Sequence, residues 1–250
     1  MLGTHSRRNF YDADLDKVLY RTGNGLGYKL YVERAGKNLY MNYLVEGRSA
    51  NYRADVGFTP RVDTNYAGSF VRYETDRKPD AFIIFKRIFN ASNIRYDWQG
   101  RSQYAMTELE GMLAFQKQTY VGLSFQYGYE RVFEHEFGAK RTLTRAVGSF
   151  YGPSSERSAP LKAIQAFIES APIKKFSINV FMDYTAGQMD YDLGAGPDFP
   201  RASLVAQTFG QDSPYDPGPG NQLMIEASAR YQPTNEFQTQ LSYNKIRLVR

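Results

Sequence analysis

Histidines and acidic residues are the groups in this sequence best suited to acid–base or metal chemistry. Only two histidines occur, and His135 follows an alternating segment, with Glu134 and Glu136 beside it. Neighbouring strand residues point to opposite faces, so a site at His135 needs partners from other loops. A histidine–carboxylate pair could activate a water for hydrolysis at the rim of the fold. The carboxylates that could complete it are Asp183, Asp190 and Asp192.

A second candidate site is the glycine-rich stretch that follows residue 187. Asp190, Asp192 and Asp198 have Gly194 and Gly196 among them. Carboxylate oxygens in such a loop can wrap a hard cation such as calcium. Their spacing matches no EF-hand, and Gly/Asp/Pro-rich segments are usually plain loops. The sequence therefore predicts no cofactor, with calcium at these aspartates as the alternative.

The sequence lacks the residues and motifs that several other kinds of chemistry require. The chain has no cysteine, which excludes disulfides, thiolate metal sites and a cysteine nucleophile. There is no phosphate-binding glycine loop, G-x-S-x-G elbow or H-E-x-x-H motif. Net charge is +5, but lysines and arginines are scattered beside acidic residues, so nucleic acid is not expected as a partner. The inventory favours a non-enzymatic protein, with a hydrolase near His135 as an alternative.

The elements that position these residues are alternating segments joined by two kinds of connection. Ten segments follow one another from residue 28 onward, whereas residues 1–27 read as irregular. Short and long connections alternate along the chain, and a meander places every second connection at the same end. This sorting is typical of outer-membrane barrels, with short periplasmic turns and long extracellular loops. The short turns lie near 35–36, 76–80, 117–118, 171–174 and 233–236, and the main long connections span 47–64, 134–160 and 187–220.

The faces of the segments agree with a membrane barrel. Segment 119–133 places Val121, Leu123 and Phe125 on one face, and Gly122 and Ser124 on the other. Such runs have about the ten residues that cross the hydrocarbon layer at a barrel tilt. No apolar run is long enough for a transmembrane helix. We expect an all-β, antiparallel up-and-down transmembrane β-barrel of about ten strands, whole or partial, over residues 28–250. A soluble sandwich or lipocalin-like barrel is the alternative.

The polar parity predicts which residues face the lumen of such a barrel. There they would satisfy one another or line a polar passage. The candidate lumen residues are Arg72, Glu74, Glu108, Glu110, Gln126, Glu130, Asp183, Glu226 and Arg230.

One segment carries a family resemblance. The sequence "ADVGFTPRVDTNYAGSFVRYE", residues 54–74, resembles a segment of a bacterial outer-membrane barrel family of unassigned function. "GSFYGP" at 148–153 and the Pro-Thr turn at 233–234 fit the same pattern, so the resemblance spans most of residues 50–250. From the residues alone, Arg61 and Asp63 are expected to order the loop base. The motif residues are Gly57, Phe58, Pro60, Arg61 and Asp63.

The resemblance implies the protein's surroundings. Such barrels commonly follow an N-terminal domain similar to carbohydrate-binding module family nine, so a periplasmic binding domain is expected in the full-length chain. The expectation is a porin-like pore or receptor in the outer membrane of a Gram-negative bacterium, contacting lipid and glycans or other small solutes. A soluble carbohydrate-binding module remains the alternative. The chain ends on Leu248, Val249 and Arg250 instead of a terminal aromatic, which suggests a missing remainder.

Overall fold

The structure, a computed structural model, describes residues 2–12, 17–52, 62–133, 154–190 and 218–249, with backbone alone at 2–23 and 190. None of these residues lies in a helix long and apolar enough to cross a membrane. Over the described ranges the chain forms eleven strands. They are β1 (Leu2–Asp12), β2 (Lys17–Ala35), β3 (Leu39–Arg48), β4 (Thr64–Glu74), β5 (Ile83–Tyr96), β6 (Ser102–Phe115), β7 (Thr119–Phe133), β8 (Glu156–Ile173), β9 (Phe176–Asp190), β10 (Gly218–Tyr231) and β11 (Thr239–Val249).

The strands form one antiparallel sheet in which neighbours in sequence are neighbours in space, from β1 to β11. This confirms the all-β, up-and-down prediction, and the ten predicted segments correspond to β2–β11. Within the described part of the chain, the sheet is not closed, so β1 and β11 are its edges.

The N-terminal segment differs from its prediction. Residues 1–27 were expected to be irregular, yet β1 pairs with β2 from Leu2 opposite Gly27 to Asp12 opposite Lys17. The alternation was hidden because β1 carries polar residues at both parities, as in "THSRRN". A strand of this kind is specified by backbone pairing, which leaves no period-two signal in the sequence.

Connections alternate between the two ends of the sheet. One end holds residues 36–38, 75–82, 116–118, 174–175 and 232–238. The β5–β6 connection at 97–101 lies at the opposite end. The end that holds the first set of turns is called the short-turn end.

The chain divides into two compact units. Unit 1 comprises residues 1–72 and 91–105, and unit 2 comprises residues 73–90 and 106–250.

In unit 2, the register of β7–β11 separates an apolar face from a polar face. Ser124 lies opposite Gln165, which lies opposite Asp183. These three residues belong to the polar face, while their sequence neighbours belong to the apolar face. Large apolar side chains on the apolar face are exposed: Val121, Leu123, Phe125, Tyr127, Ile168, Met182, Tyr184, Tyr231, Leu241 and Tyr243.

Exposed apolar pairs also occur between β2 and β3 in unit 1. Leu30 lies opposite Val45, and Val32 lies opposite Tyr43. All four side chains are exposed. Apolar exposure is therefore a property of both units.

A small apolar cluster forms in unit 2 near the short-turn end. Phe85, Met112 and Ala114 are buried, and Tyr120 and Phe167 pack against them. The guanidinium of Arg77 lies 4.5 Å from the centroid of the Phe85 ring, a distance suited to cation–π attraction.

Glycine makes room for one of these rings. Gly122 of β7 lies directly opposite Phe167 of β8, and a Cβ at Gly122 would overlap the Phe167 ring. The ring therefore covers the glycine backbone, an arrangement that pins strand register.

We predict that Gly122→Ala lowers the free energy of unfolding by about 1–3 kcal/mol, because the added methyl forces Phe167 from its position. Denaturant unfolding under conditions in which the parent chain is folded measures the loss. Gly111→Ala is the matched control, since a Cβ there meets no atom within 4 Å; its effect should stay within about 0.5 kcal/mol. Equal losses at both glycines would contradict the packing argument.

Candidate functional surface

A hydrogen-bonded row of buried and half-buried side chains crosses the polar face of unit 2. Ser124 Oγ donates to Gln165 Oε1 at 3.2 Å, and Gln165 Nε2 donates to Asp183 Oδ2 at 2.7 Å. Thr185 Oγ1 donates to the other carboxylate oxygen at 2.9 Å. The first two hydrogen bonds join β7 to β8 and β8 to β9, whose registers place these residues side by side, and the third lies within β9. A buried carboxylate with these donors avoids the cost of an unsatisfied charge.

Asp183 lies on the polar parity of β9, and its side chain is buried and satisfied by neighbouring donors. Gln165 and Thr185, its partners, were missed by sequence reasoning. The sequence pattern that could have identified them was present, because both residues lie at the polar positions of their alternating strands.

The predicted residues of β10 are more open. Glu226 lies opposite Phe181, and Arg230 lies opposite Ser177. Both charged side chains are exposed. On β7, Gln126 and Glu130 share the parity of Ser124 and are half-buried.

An ion pair joins β5 and β6 within unit 2. Arg87 Nη2 lies 3.0 Å from Glu110 Oε1, so one predicted acidic residue is neutralised by an arginine that was not predicted. Arg87 Nε is buried and has no hydrogen-bond partner in the described ranges. Glu108 is half-buried on the same strand as Glu110, and its carbonyl accepts a hydrogen bond from Asn90 Nδ2 at 2.8 Å.

The two predicted residues of β4 belong to different units. In unit 1, the Arg72 guanidinium lies 5.3 Å from the centroid of Tyr40, and Tyr40 makes an edge contact with Phe70. In unit 2, Glu74 forms an ion pair with Arg77 at 3.6 Å.

A polar cluster in unit 1 orders the connection between β5 and β6. Asp97 is buried and accepts hydrogen bonds from the backbone N–H groups of Gln99 and Arg101, at 2.9 and 2.7 Å. Arg101 Nε donates to its other oxygen at 2.6 Å. An aspartate that binds the backbone of its own turn is a common turn device, and the sequence "DWQGR" carries it. Sequence reasoning nevertheless missed Asp97.

Asp63 connects this turn to the loop before β4. Its carboxylate accepts the backbone N–H of Trp98 at 3.3 Å, and its carbonyl accepts Gln103 Nε2 at 3.3 Å. Trp98 Nε1 donates to the Arg48 carbonyl at 2.8 Å. The Asp63 part of the loop-ordering prediction therefore agrees with these contacts. The remaining motif residues Gly57, Phe58, Pro60 and Arg61 lie outside the described residues.

Opposing effects act on the pKa of Asp97. Burial raises it, but the backbone and side-chain hydrogen bonds from Arg101, the Arg101 charge and the Gln99 N–H together outweigh burial and hold the pKa below its ordinary value. The pKa is lowered because these donors stabilise the charged form.

The structure does not test the two chemical sites predicted at His135 and in the aspartate-containing loop. His135, Asp192 and Asp198 lie outside the described residues, and only the backbone of Asp190 is described. Among the side chains that are described, no three His, Cys, Asp or Glu residues form a group that could hold a metal ion.

We predict that Asp97→Asn destabilises the β5–β6 connection, because Arg101 loses its charged partner; hydrogen bonds to charged groups contribute about 1.5–3 kcal/mol. Trp98 is the only tryptophan, so its fluorescence during denaturant unfolding reports this turn. A depressed pKa gives stability that is present above the ordinary pKa of about 3.9 and is lost as the pH falls through the folded value. The parent and the variant should therefore differ most in their free energy of unfolding at pH 7, and this difference should shrink below about pH 4. A difference independent of pH would contradict the charge argument.

Comparison with protein-family models, curated proteins and solved structures finds no match to this chain.

Proposed function

We propose that this chain is an outer-membrane β-barrel protein of a Gram-negative bacterium, with its apolar face in lipid and its polar face toward solutes. The observation that supports it is the distribution of side chains: many large apolar side chains are exposed, and several polar ones are buried beside apolar ones. The buried polar residues are Thr64, Asp97, Gln103, Ser124, Asp183 and Thr185.

Water alone is a poor solvent for this arrangement. Soluble monomers rarely expose a contiguous apolar patch larger than a few hundred Å². Here, exposed apolar side chains of the neighbouring strands β7–β11 lie on the same face of the sheet. In lipid these side chains need no further cover, and paired strands already satisfy most backbone groups.

Strand length is compatible with a bilayer. A tilted transmembrane strand needs about 9–11 residues, and β7 and β9 each have 15. Both strands are therefore long enough to cross the hydrocarbon layer.

Aromatic residues near strand ends add support. Tyr231 is the last residue of β10 and is exposed. In unit 1, Trp98 and Tyr28 make an edge contact with ring centroids 6.4 Å apart. Tyrosine and tryptophan favour membrane interfaces because one end of the ring system is apolar and the other binds water.

The polar face supports a pore or receptor for small solutes. Asn179, Glu226 and Arg230 are exposed there, and they offer donors and acceptors to polar ligands. A carbohydrate ligand rests only on the family resemblance of residues 54–74.

We predict that neighbouring thiols on β7 meet different solvents. The chain has no cysteine, so Phe125→Cys and Gln126→Cys each carry one fluorescent label. In liposomes, lipid-borne nitroxide should quench the label at 125 more strongly, and aqueous iodide the label at 126, because the positions face opposite sides. Leu241→Cys and Ser242→Cys provide the matched pair on β11.

The competing soluble module predicts another result. A protein that is monodisperse in plain buffer, with neither label quenched by lipid, would refute the membrane proposal. Saturable glycan binding by that sample would then favour the soluble carbohydrate-binding module.

For a pore, we predict that Glu226→Lys shifts ion selectivity toward anions, since charges lining a passage select ions of opposite sign. The reversal potential across planar bilayers under a KCl gradient measures the shift. Glu236→Lys makes the same charge change in the β10–β11 turn and should shift it less. Absence of conductance, with the lipid quenching retained, would exclude the pore and favour the receptor.

A further inference from the structure

Three consecutive turns at the short-turn end of unit 2 surround a concavity of about 580 Å³. They are the β6–β7 turn at 116–118, the β8–β9 turn at 174–175 and the start of the β10–β11 turn at Gln232. The concavity is lined by residues from all three. It is separate from the buried row at Asp183.

Hydrogen bonds hold the turns together. The Ala171 N–H donates to the Gln118 carbonyl at 3.3 Å, and the Gln232 N–H donates to the Lys175 carbonyl at 2.8 Å. The hydroxyls of Thr119 and Ser170 are 2.7 Å apart. The walls of the concavity are therefore connected from one hairpin to the next.

The charge of the lining is of one sign. Lys117, Lys174, Lys175 and Arg230 contribute cations, and no carboxylate belongs to the lining. Arg230 Nη2 donates to Gln232 Oε1 at 3.0 Å, which leaves its positive charge without an anionic partner. Among the described residues, none of the four forms an ion pair. Gathered like charges raise the local concentration of anions.

The β6–β7 turn presents its lysine at a conformational cost. Lys117 and Gln118 have φ of 58° and 52°, where glycine or asparagine is usual in a two-residue hairpin. Each non-glycine residue in this region costs roughly 1–2 kcal/mol. Strained residues of this kind concentrate at ligand sites.

We propose that this concavity binds a phosphate group. A phosphate carries up to two negative charges and several acceptor oxygens, so it can engage more of the four cations than a single carboxylate can. The Ser177 hydroxyl in the lining can donate a further hydrogen bond. The phosphate can belong to a soluble ester or to a lipid headgroup. The inference does not depend on the proposed membrane function, because it rests on the turns alone.

The test is titration of the full chain with pyrophosphate in uncharged maltoside micelles, followed by calorimetry and by NMR of the Gln118, Ala171 and Gln232 amides. Saturable binding is expected. The Lys174→Gln/Lys175→Gln double variant should weaken it at least about tenfold, because charge-assisted hydrogen bonds are lost. High salt should weaken it too.

Lys162→Gln is the matched control, since it removes an exposed lysine of β8 that does not line the concavity; binding should be unchanged. A second arm adds phosphatidylglycerol, or phosphatidylcholine as reference, to the same micelles. Shifts of the three amides with pyrophosphate identify a soluble phosphate, and shifts with phosphatidylglycerol alone identify a headgroup. If neither probe shifts them, or if Lys162→Gln loses as much affinity as the double variant, the proposal is wrong.

Discussion

The two-residue period of the β-strand is the constraint on which the other features depend. Because Ser124, Gln165 and Asp183 are aligned across three strands, their sequence neighbours must share the opposite face. A slip of one residue at any pair would bring Phe125 or Met182 to the polar side and carry the carboxylate to the apolar side. Register and the separation of faces are therefore one property.

Side-chain fit on the polar face reinforces that register. Asp183 receives hydrogen bonds from both Gln165 and Thr185, so displacement of either neighbour would leave a buried charge short of donors. Phe167 needs a glycine at the position opposite it. The Gln165 and Phe167 contacts have different chemistry, but both join neighbouring strands and are lost on a shift in register, whereas the Thr185 hydrogen bond lies within β9.

Much of the sheet could be predicted because ten strands carry the alternation or a turn signal. Phe181 interrupts the pattern of β9, and the structure gives the reason: it lies on the polar face directly opposite Phe167, in an apolar pair. β1 could not be predicted, since polar residues occupy both of its parities. The parity of β9 groups Asp183 with polar residues, and the register places it opposite Gln165.

The interaction partners of many residues could be identified only from the three-dimensional structure. Arg87 and Glu110 are 23 positions apart in the sequence, and parity cannot tell which charges will meet. Asp97 was missed for a different reason: its partners are the N–H groups of its own turn, so no alternating pattern includes it.

The open edges connect the fold to the membrane proposal. Lipid offers no hydrogen bonds, so a sheet spanning a bilayer requires partners for the backbone groups of both β1 and β11. Neighbouring strands alternate in direction, so the first and the eleventh run the same way. Pairing these edges with each other would create a parallel ladder in an otherwise antiparallel sheet, whereas antiparallel closure takes an odd number of further strands. Bacterial single-chain barrels have even strand numbers, so the proposed barrel, if closed, contains an odd number of strands besides these eleven.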